Sequence, residues 1–258
     1  MKKYLFALST AMLLTGCCSF PHFENCDPAD YPIHAMRTEE NITLDGKLDE
    51  GAWAKVKSSP LYYTPSVIYP ELPYKQINAS PFESAQIKIL YDDKYVYIGA
   101  VCEDHDIMQY DTKNQTMSFN SGDTLEIFLK AENHPAYWEI YVTPQNTRTS
   151  FYFIGRGARI TAAFDKENFI KEMRSGVQLN GTLNKHTDKD SSWSAELAIP
   201  RSALEKNGIK FEPGNEWKLL LARYNYGIHQ SYFHISTYPK TPVANNHLIE
   251  YYGKVIFE

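Results

Sequence analysis

Cysteine is scarce in this 258-residue chain. It has four, Cys17, Cys18, Cys26 and Cys102, and no two form a Cys-x-x-Cys pair. Zinc ribbons, dithiol redox motifs and dense disulfide scaffolds are therefore excluded. Positive charge is also short. The 26 Lys and Arg stand against 31 Asp and Glu, for a formal net charge of -5, so no excess is available to neutralise a nucleic-acid backbone. No apolar run reaches the roughly 18 residues of a spanning helix. Also missing are a Gly-x-Ser-x-Gly elbow, a His-Glu-x-x-His pair and a phosphate loop, Gly155-Arg156-Gly157 being too short for one. These gaps remove the common signatures of serine hydrolases, zinc proteases and nucleotide binders.

What the chain does have is aromatic weight, with 19 Tyr, 13 Phe and 4 Trp, and turn punctuation from 13 Gly and 14 Pro. Apolar residues alternate with period two rather than 3.6. Ala85, Ile87, Ile89 and Tyr91 share one strand face, Asp92-Asp93 turns the chain, and Val96, Ile98, Ala100 and Cys102 share a face of the next. Leu125, Ile127 and Leu129, then Trp138, Ile140 and Val142, predict two more strands with one buried face each. Further strands are expected near 149–154, 177–183, 193–199, 217–225, 232–236 and 254–257. Only 48–56 and 201–206 read as short helices. With no strand–helix alternation, a parallel sheet is excluded in favour of an all-β antiparallel β-sandwich of the immunoglobulin-like or jelly-roll type. The proline-rich stretch 60–81 and the polar segment 155–176 read as long loops.

The first residues carry an export pattern. Lys2 and Lys3 precede an apolar run over residues 4–14 that is too short to cross about 30 Å of hydrocarbon but suits a signal-peptide core. It ends in Leu14-Thr15-Gly16-Cys17, which resembles the bacterial lipobox. The expectation is a lipoprotein signal peptide over 1–16, a lipidated Cys17 with a proline-containing tether over 17–40, and one folded domain over 41–258. More than one acyl chain on Cys17 would hold the domain stably at a membrane. By resemblance to such lipoproteins, Cys18 and Ser19 after the anchor imply outer-membrane placement. In an exported protein Cys26 has two candidate partners, Cys18 and Cys102, while Cys102 reads equally as a small buried strand residue.

Five segments in order resemble a known family. They are Ile42-Thr43-Leu44-Asp45-Gly46 through Glu50-Gly51-Ala52-Trp53; Ile89-Leu90-Tyr91-Asp92-Asp93 through Gly99; Gly122-Asp123-Thr124-Leu125-Glu126-Ile127-Phe128-Leu129; Trp193-Ser194-Ala195-Glu196-Leu197-Ala198-Ile199-Pro200; and Tyr252-Gly253-Lys254-Val255-Ile256-Phe257. The series is similar to the family 9 carbohydrate-binding module and its related lipoproteins, and covers essentially all of 40–258. The resemblance implies a β-sandwich that binds a sugar chain, beside glycan-degrading or import partners. It also implies a slot between two tryptophans and a hydrogen-bonding glutamate. Glu126 holds the glutamate position, while the tryptophan positions fall at Phe119 or Asn120 and near Asn246 and His247.

A sugar offers a C–H face and a hydroxyl rim, so its site needs a ring beside carboxylates or amides. The candidates are Glu126, Glu139, Arg223, Asp123, Phe119, Trp138, Asn225, Tyr226, Asn246 and His247. Two bland alternatives stand beside them: Glu126 facing solvent or pairing with Arg223, and Trp138 packed in the core. Glycoside hydrolysis by Glu126 and Glu139 is a rival activity, and a structural or protein-binding role through 60–81 and 155–176 a third reading. Glu103, Asp104 and Asp106 are oxygen ligands a calcium ion would accept, with a solvated loop as the alternative. Met108, Met117 or His234 would be the axial ligand of a haem, for which no attachment motif exists.

Overall fold

The computed structural model describes residues 26–65, 81–228, 230 and 233–258. The signal peptide, Cys17, Cys18 and most of the proline-rich stretch lie outside these residues. Thirteen strands are present among them: β1 Ile33–Arg37, β2 Ser59–Pro60, β3 Tyr62–Thr64, β4 Ala85–Tyr91, β5 Tyr95–Glu103, β6 Thr124–Ala131, β7 Tyr137–Val142, β8 Arg148–Phe153, β9 Arg174–Asn180, β10 Ser192–Pro200, β11 Trp217–Asn225, β12 His234–Tyr238 and β13 Gly253–Phe257. Helix is confined to single turns, including Gly51–Lys55, Ile160–Ala163 and Arg201–Leu204.

The strands form a β-sandwich. A back layer runs β9-β10-β5-β4-β1, and a front layer runs β8-β7-β6-β11 with β12 and β3 beyond it. β13 stitches the two, pairing with β1 over Ile33↔Val255 to Ala35↔Phe257 and with β11 at Lys218↔Lys254 and Leu219↔Gly253. Two sequence expectations need correction here. β1 is parallel to both β13 and β4, so the sheets are not wholly antiparallel. That strand also lies inside the stretch read as tether, and its alternating buried Ile33 and Ala35 place it in the core rather than outside the domain.

The main core fills the space between the layers. Ile87, Ile89, Ile98, Trp193 and Leu197 come from the back, and Leu125, Ile127, Trp138, Ile140 and Leu221 from the front. Cys102 is buried on the inner face of β5, where burial pushes its thiol up to about 12, and no disulfide joins it to Cys26. The 155–176 segment holds the Ile160–Ala163 turn before running into β9 at Arg174.

The outer face of the back layer is covered by the first of the recognised segments. Trp53, Ala52 and Val56 pack on Leu90, Tyr97 and Ala198. Trp53 therefore seals an outer sheet face, not an end of the core. A Cβ on Gly99 would come within 2.9 Å of the Trp53 ring and 2.7 Å of Leu48, so glycine is the residue that lets the ring lie flat on β5. Fully buried Glu196 of β10 ties the segment down. It accepts from Asp45 N at 3.0 Å, Gly46 N at 2.9 Å and Trp53 Nε1 at 2.9 Å. Removing a buried acceptor strands its donors. Glu196→Ala should destabilise the domain by about 3 kcal/mol and Gly99→Ala by about 1–3 kcal/mol in urea titrations, and values near zero would show this cover to be dispensable.

Candidate functional site

The outer face of the front layer is also dry, and it carries the polar groups of interest. Strand alternation turns Leu125, Ile127 and Leu129 of β6 inward and Thr124, Glu126 and Phe128 outward, yet both rows are buried. β7 repeats this with Tyr137, Glu139 and Tyr141. The expectation of one buried face fails because a second apolar cluster, including Phe128, Tyr141, Phe151, Leu220 and Tyr252, lies outside the sheet with Met117, Phe119 and Ile249 packed on it. The β6–β7 register of Glu126↔Tyr141 and Phe128↔Glu139 places the two carboxylates diagonally on one face.

Between the sheet and the 242–251 segment lies a cleft of ≈ 490 Å³, within the usual range for small-ligand sites. Phe128, Glu126, Glu139 and Tyr141 form its floor. Phe119 and Tyr224 form one wall, their rings 5.4 Å apart, and Phe119 meets Tyr141 edge-on at 6.1 Å. Asn246 and His247 line the opposite wall. Asn246 Nδ2 donates to Glu126 Oε2 at 2.9 Å, and the Tyr141 hydroxyl donates to Glu139 Oε1. His247 Nδ1 bonds the Tyr137 hydroxyl at 2.9 Å, with its ring edge-on to Phe128.

Electrostatics follow from this burial. Desolvation, then the neighbouring Glu139, pushes Glu126 well above the usual carboxylate range, against the bond from Asn246. Burial pushes Glu139 up to about 7, opposed by Tyr141. Two carboxylates this close and this dry do not both ionise at neutral pH. Burial also lowers the His247 imidazole, and raises the Tyr141 phenol so far that it stays a donor.

Of the residues singled out from sequence, the cleft brings together Glu126, Glu139, Phe119, Asn246 and His247. The others are placed elsewhere. Trp138 faces inward against Leu129 and Tyr152 as a core residue. Arg223 pairs across the ladder with Leu125, not Glu126, and so points into the sandwich. There it meets Asp104 at 2.9 Å, both side chains fully buried, and donates to Asn225 Oδ1 at 2.6 Å. Asn225 in turn donates to Glu83 at 2.6 Å. Asp123 is a loop clamp, accepting from Met108 N and Tyr226 N at 2.8 Å each. Tyr226 donates to the Phe119 carbonyl, and so braces that ring from behind.

The three calcium candidates diverge. Asp104 goes to Arg223, Glu103 to Ser84, and Asp106 to His186 and Ile228 N. Among the described residues no group of three or more His, Cys, Asp or Glu could hold a metal. Met117 packs in the outer cluster while His234 bonds Asn225 on the inner side, so these haem candidates do not share a pocket. Sequence reading missed Phe128, Tyr141 and Tyr224 as cleft residues. All three were reachable by following the outward face that carries Glu126 and Glu139.

A family model described as carbohydrate family 9 binding domain-like matches residues 44–213. That span is more than half of the chain, which therefore belongs to this family. It includes the cleft floor and Phe119, while Tyr224, Asn246 and His247 lie beyond it. Among solved structures, a candidate carbohydrate-binding protein of Bacteroides uniformis superposes with a TM-score of 0.68 at 12% identity, covering 88% of this chain and 99% of that one. A family 9 carbohydrate-binding module of Caldicellulosiruptor kristjanssonii in complex with cellotriose gives a TM-score of 0.57 at 14% identity, over 88% and 93%. Comparison with curated proteins finds none that matches. At these identities the likeness to solved structures establishes the fold.

Folded, Glu139 keeps its proton up to about 7, whereas unfolded it releases it near its ordinary 4.5. Between those values the native state binds more protons, so this group's contribution to stability falls as pH rises. Raising the pH from about 5 to about 8 should therefore lower the Tm of the wild type by about 3 °C or more relative to Glu139→Gln. Parallel Tm curves from scanning calorimetry would show Glu139 to be ionised throughout.

Proposed function

We propose that the chain is a membrane-anchored carbohydrate-binding lipoprotein that holds an oligo- or polysaccharide in the outer-face cleft and presents it for degradation or uptake. One observation carries this reading. The Phe119–Tyr224 wall stands over a floor bearing Glu126 and Glu139, so a ring platform and hydroxyl-bonding carboxylates share one dry cleft of ligand size. Stacked pyranose C–H groups would cover the aromatic wall, while hydroxyls at the rim would meet the carboxylates and Asn246. Family membership supports the substrate class, and the relative solved with cellotriose makes that trimer the first probe. The lipobox-like Leu14-Thr15-Gly16-Cys17 supports the anchor.

The carboxylate pair also has the composition of a glycosidase site. Binding remains the better reading on geometry. Both glutamates rise from adjacent strands of the same floor, whereas hydrolysis requires carboxyl groups flanking the scissile bond on two sides.

Calorimetry of the full chain with cellotriose and a panel of neutral oligosaccharides should detect binding without release of reducing ends. Glu126→Ala should weaken it by roughly tenfold or more, and Phe119→Ala by a similar factor. Reducing ends that disappear in Glu126→Gln would instead establish hydrolysis. Labelling of expressing cells with a fatty-acid analogue should tag the wild type and not Cys17→Ser; equal labelling would remove the anchor from Cys17.

A further inference from the structure

The cleft is one-sided in charge and in hydrogen-bonding capacity. Among the described residues its lining includes Glu126, Glu139 and Glu250, and neither lysine nor arginine. Glu250 of the lining is itself paired with Arg156 at 2.7 Å. Three donors of the floor and walls are engaged: Tyr141 with Glu139, Asn246 Nδ2 with Glu126, and the Tyr137 hydroxyl with His247 Nδ1. Among the buried side-chain atoms of the lining, the unmatched ones are oxygens. Glu139 Oε2 and Asn246 Oδ1 are buried without a hydrogen bond, on side chains whose residues are only 4% and 6% exposed. His247 Nε2 stands 3.8 Å from Glu139 Oε2, beyond hydrogen-bond reach.

A ligand completing this site must therefore bring donors, and a positive charge would find both carboxylates and ring faces to receive it. A hydroxyl brings one donor; an ammonium brings three and no acceptor. It would also neutralise the glutamate pair and gain from the π-faces of Phe119 and Tyr224. A carboxylated or sulfated sugar would place negative charge beside two buried glutamates with no cation to answer it.

Resting on the saccharide reading above, we propose that the cleft selects sugars bearing a free amino group, taking neutral sugars less well and rejecting acidic ones. Glu139 and Asn246 receive the ammonium, and the aromatic wall receives the ring.

Titration calorimetry of the full chain can compare three β-1,4 trimers differing at carbon 2: cellotriose, the glucosamine trimer and its N-acetylated form, with trigalacturonate as an acidic control. At about pH 7, where Glu139 begins to ionise, the glucosamine trimer should bind about tenfold or more tighter than cellotriose. The N-acetylated trimer should fall to the cellotriose level or below, and trigalacturonate should not bind. Glu139→Gln should erase the amine preference, bringing the affinities for the glucosamine trimer and cellotriose to within about threefold of each other. Should that variant fail to fold, the wild type still decides, since added salt should weaken the amine trimer and spare cellotriose. Equal affinity for the charged and neutral trimers, or preference for trigalacturonate, would overturn the selection for amines and leave carbohydrate binding standing. Silence with every sugar would overturn both.

Discussion

The pairing of β6 with β7 is the constraint on which the rest of the site depends. Because side chains alternate along a strand, a one-residue slip would move Glu126 and Glu139 into the main core and turn Ile127 and Ile140 out. The observed register prevents this through the inward row, where Leu125, Ile127 and Leu129 lie opposite Val142, Ile140 and Trp138 and fill the sandwich. Hydrophobic burial on one face thus fixes the carboxylates on the other. The same logic holds on β11, where inward Leu219 and Leu221 fix outward Tyr224.

The two outer faces of the sandwich do different work. On the back, the segment through Trp53 is closed down by Glu196, whose oxygens accept from two backbone amides and an indole, leaving no room beside Gly99. On the front, the cover formed by 117–120 and 242–251 stands off from the sheet and leaves a cleft. Most of the recognisable family pattern serves the closed face and the strands themselves. Relatives can therefore share the scaffold at low identity while the 242–251 wall, beyond the family match, is free to set the ligand.

Legibility of the sequence tracks the strength of local physics. Strands with a continuous inward row, such as β4 and β5, were placed within a residue or two, because Ala85, Ile87, Ile89 and Tyr91 and then Val96, Ile98, Ala100 and Cys102 fall on one face. β1 was hidden. It is short, its pattern is brief, and its place between β4 and β13 depends on parallel partners that are distant in sequence. In the site, Glu126 and Glu139 were visible as polar residues inside apolar rows, and Phe119, Asn246 and His247 through the family's pattern. Arg223 misled because a charged side chain on a strand reads as outward until the opposite ladder is known, and here Leu125 across from it shows it facing in. Trp138 was legible as a core residue from its row with Ile140 and Val142, and Leu129 across from it on β6 bears that out. Asp104, the partner that makes a buried Arg223 tolerable, lies 119 positions away in the chain.

A buried pair of carboxyl groups is a poor choice for stability alone, since apolar residues of similar size would fill the outer cluster without a desolvation cost. The chain instead surrounds Glu126 and Glu139 with Phe128, Tyr141 and Phe119 and supplies the Tyr141 and Asn246 donors between them. That environment holds protons on the pair when the cleft is empty. It also strengthens any hydrogen bond made to a donor that enters. Strain of this kind persists where a ligand relieves it. The arrangement is therefore one that an entering donor would relieve, held in place by a core that would be equally well packed without it.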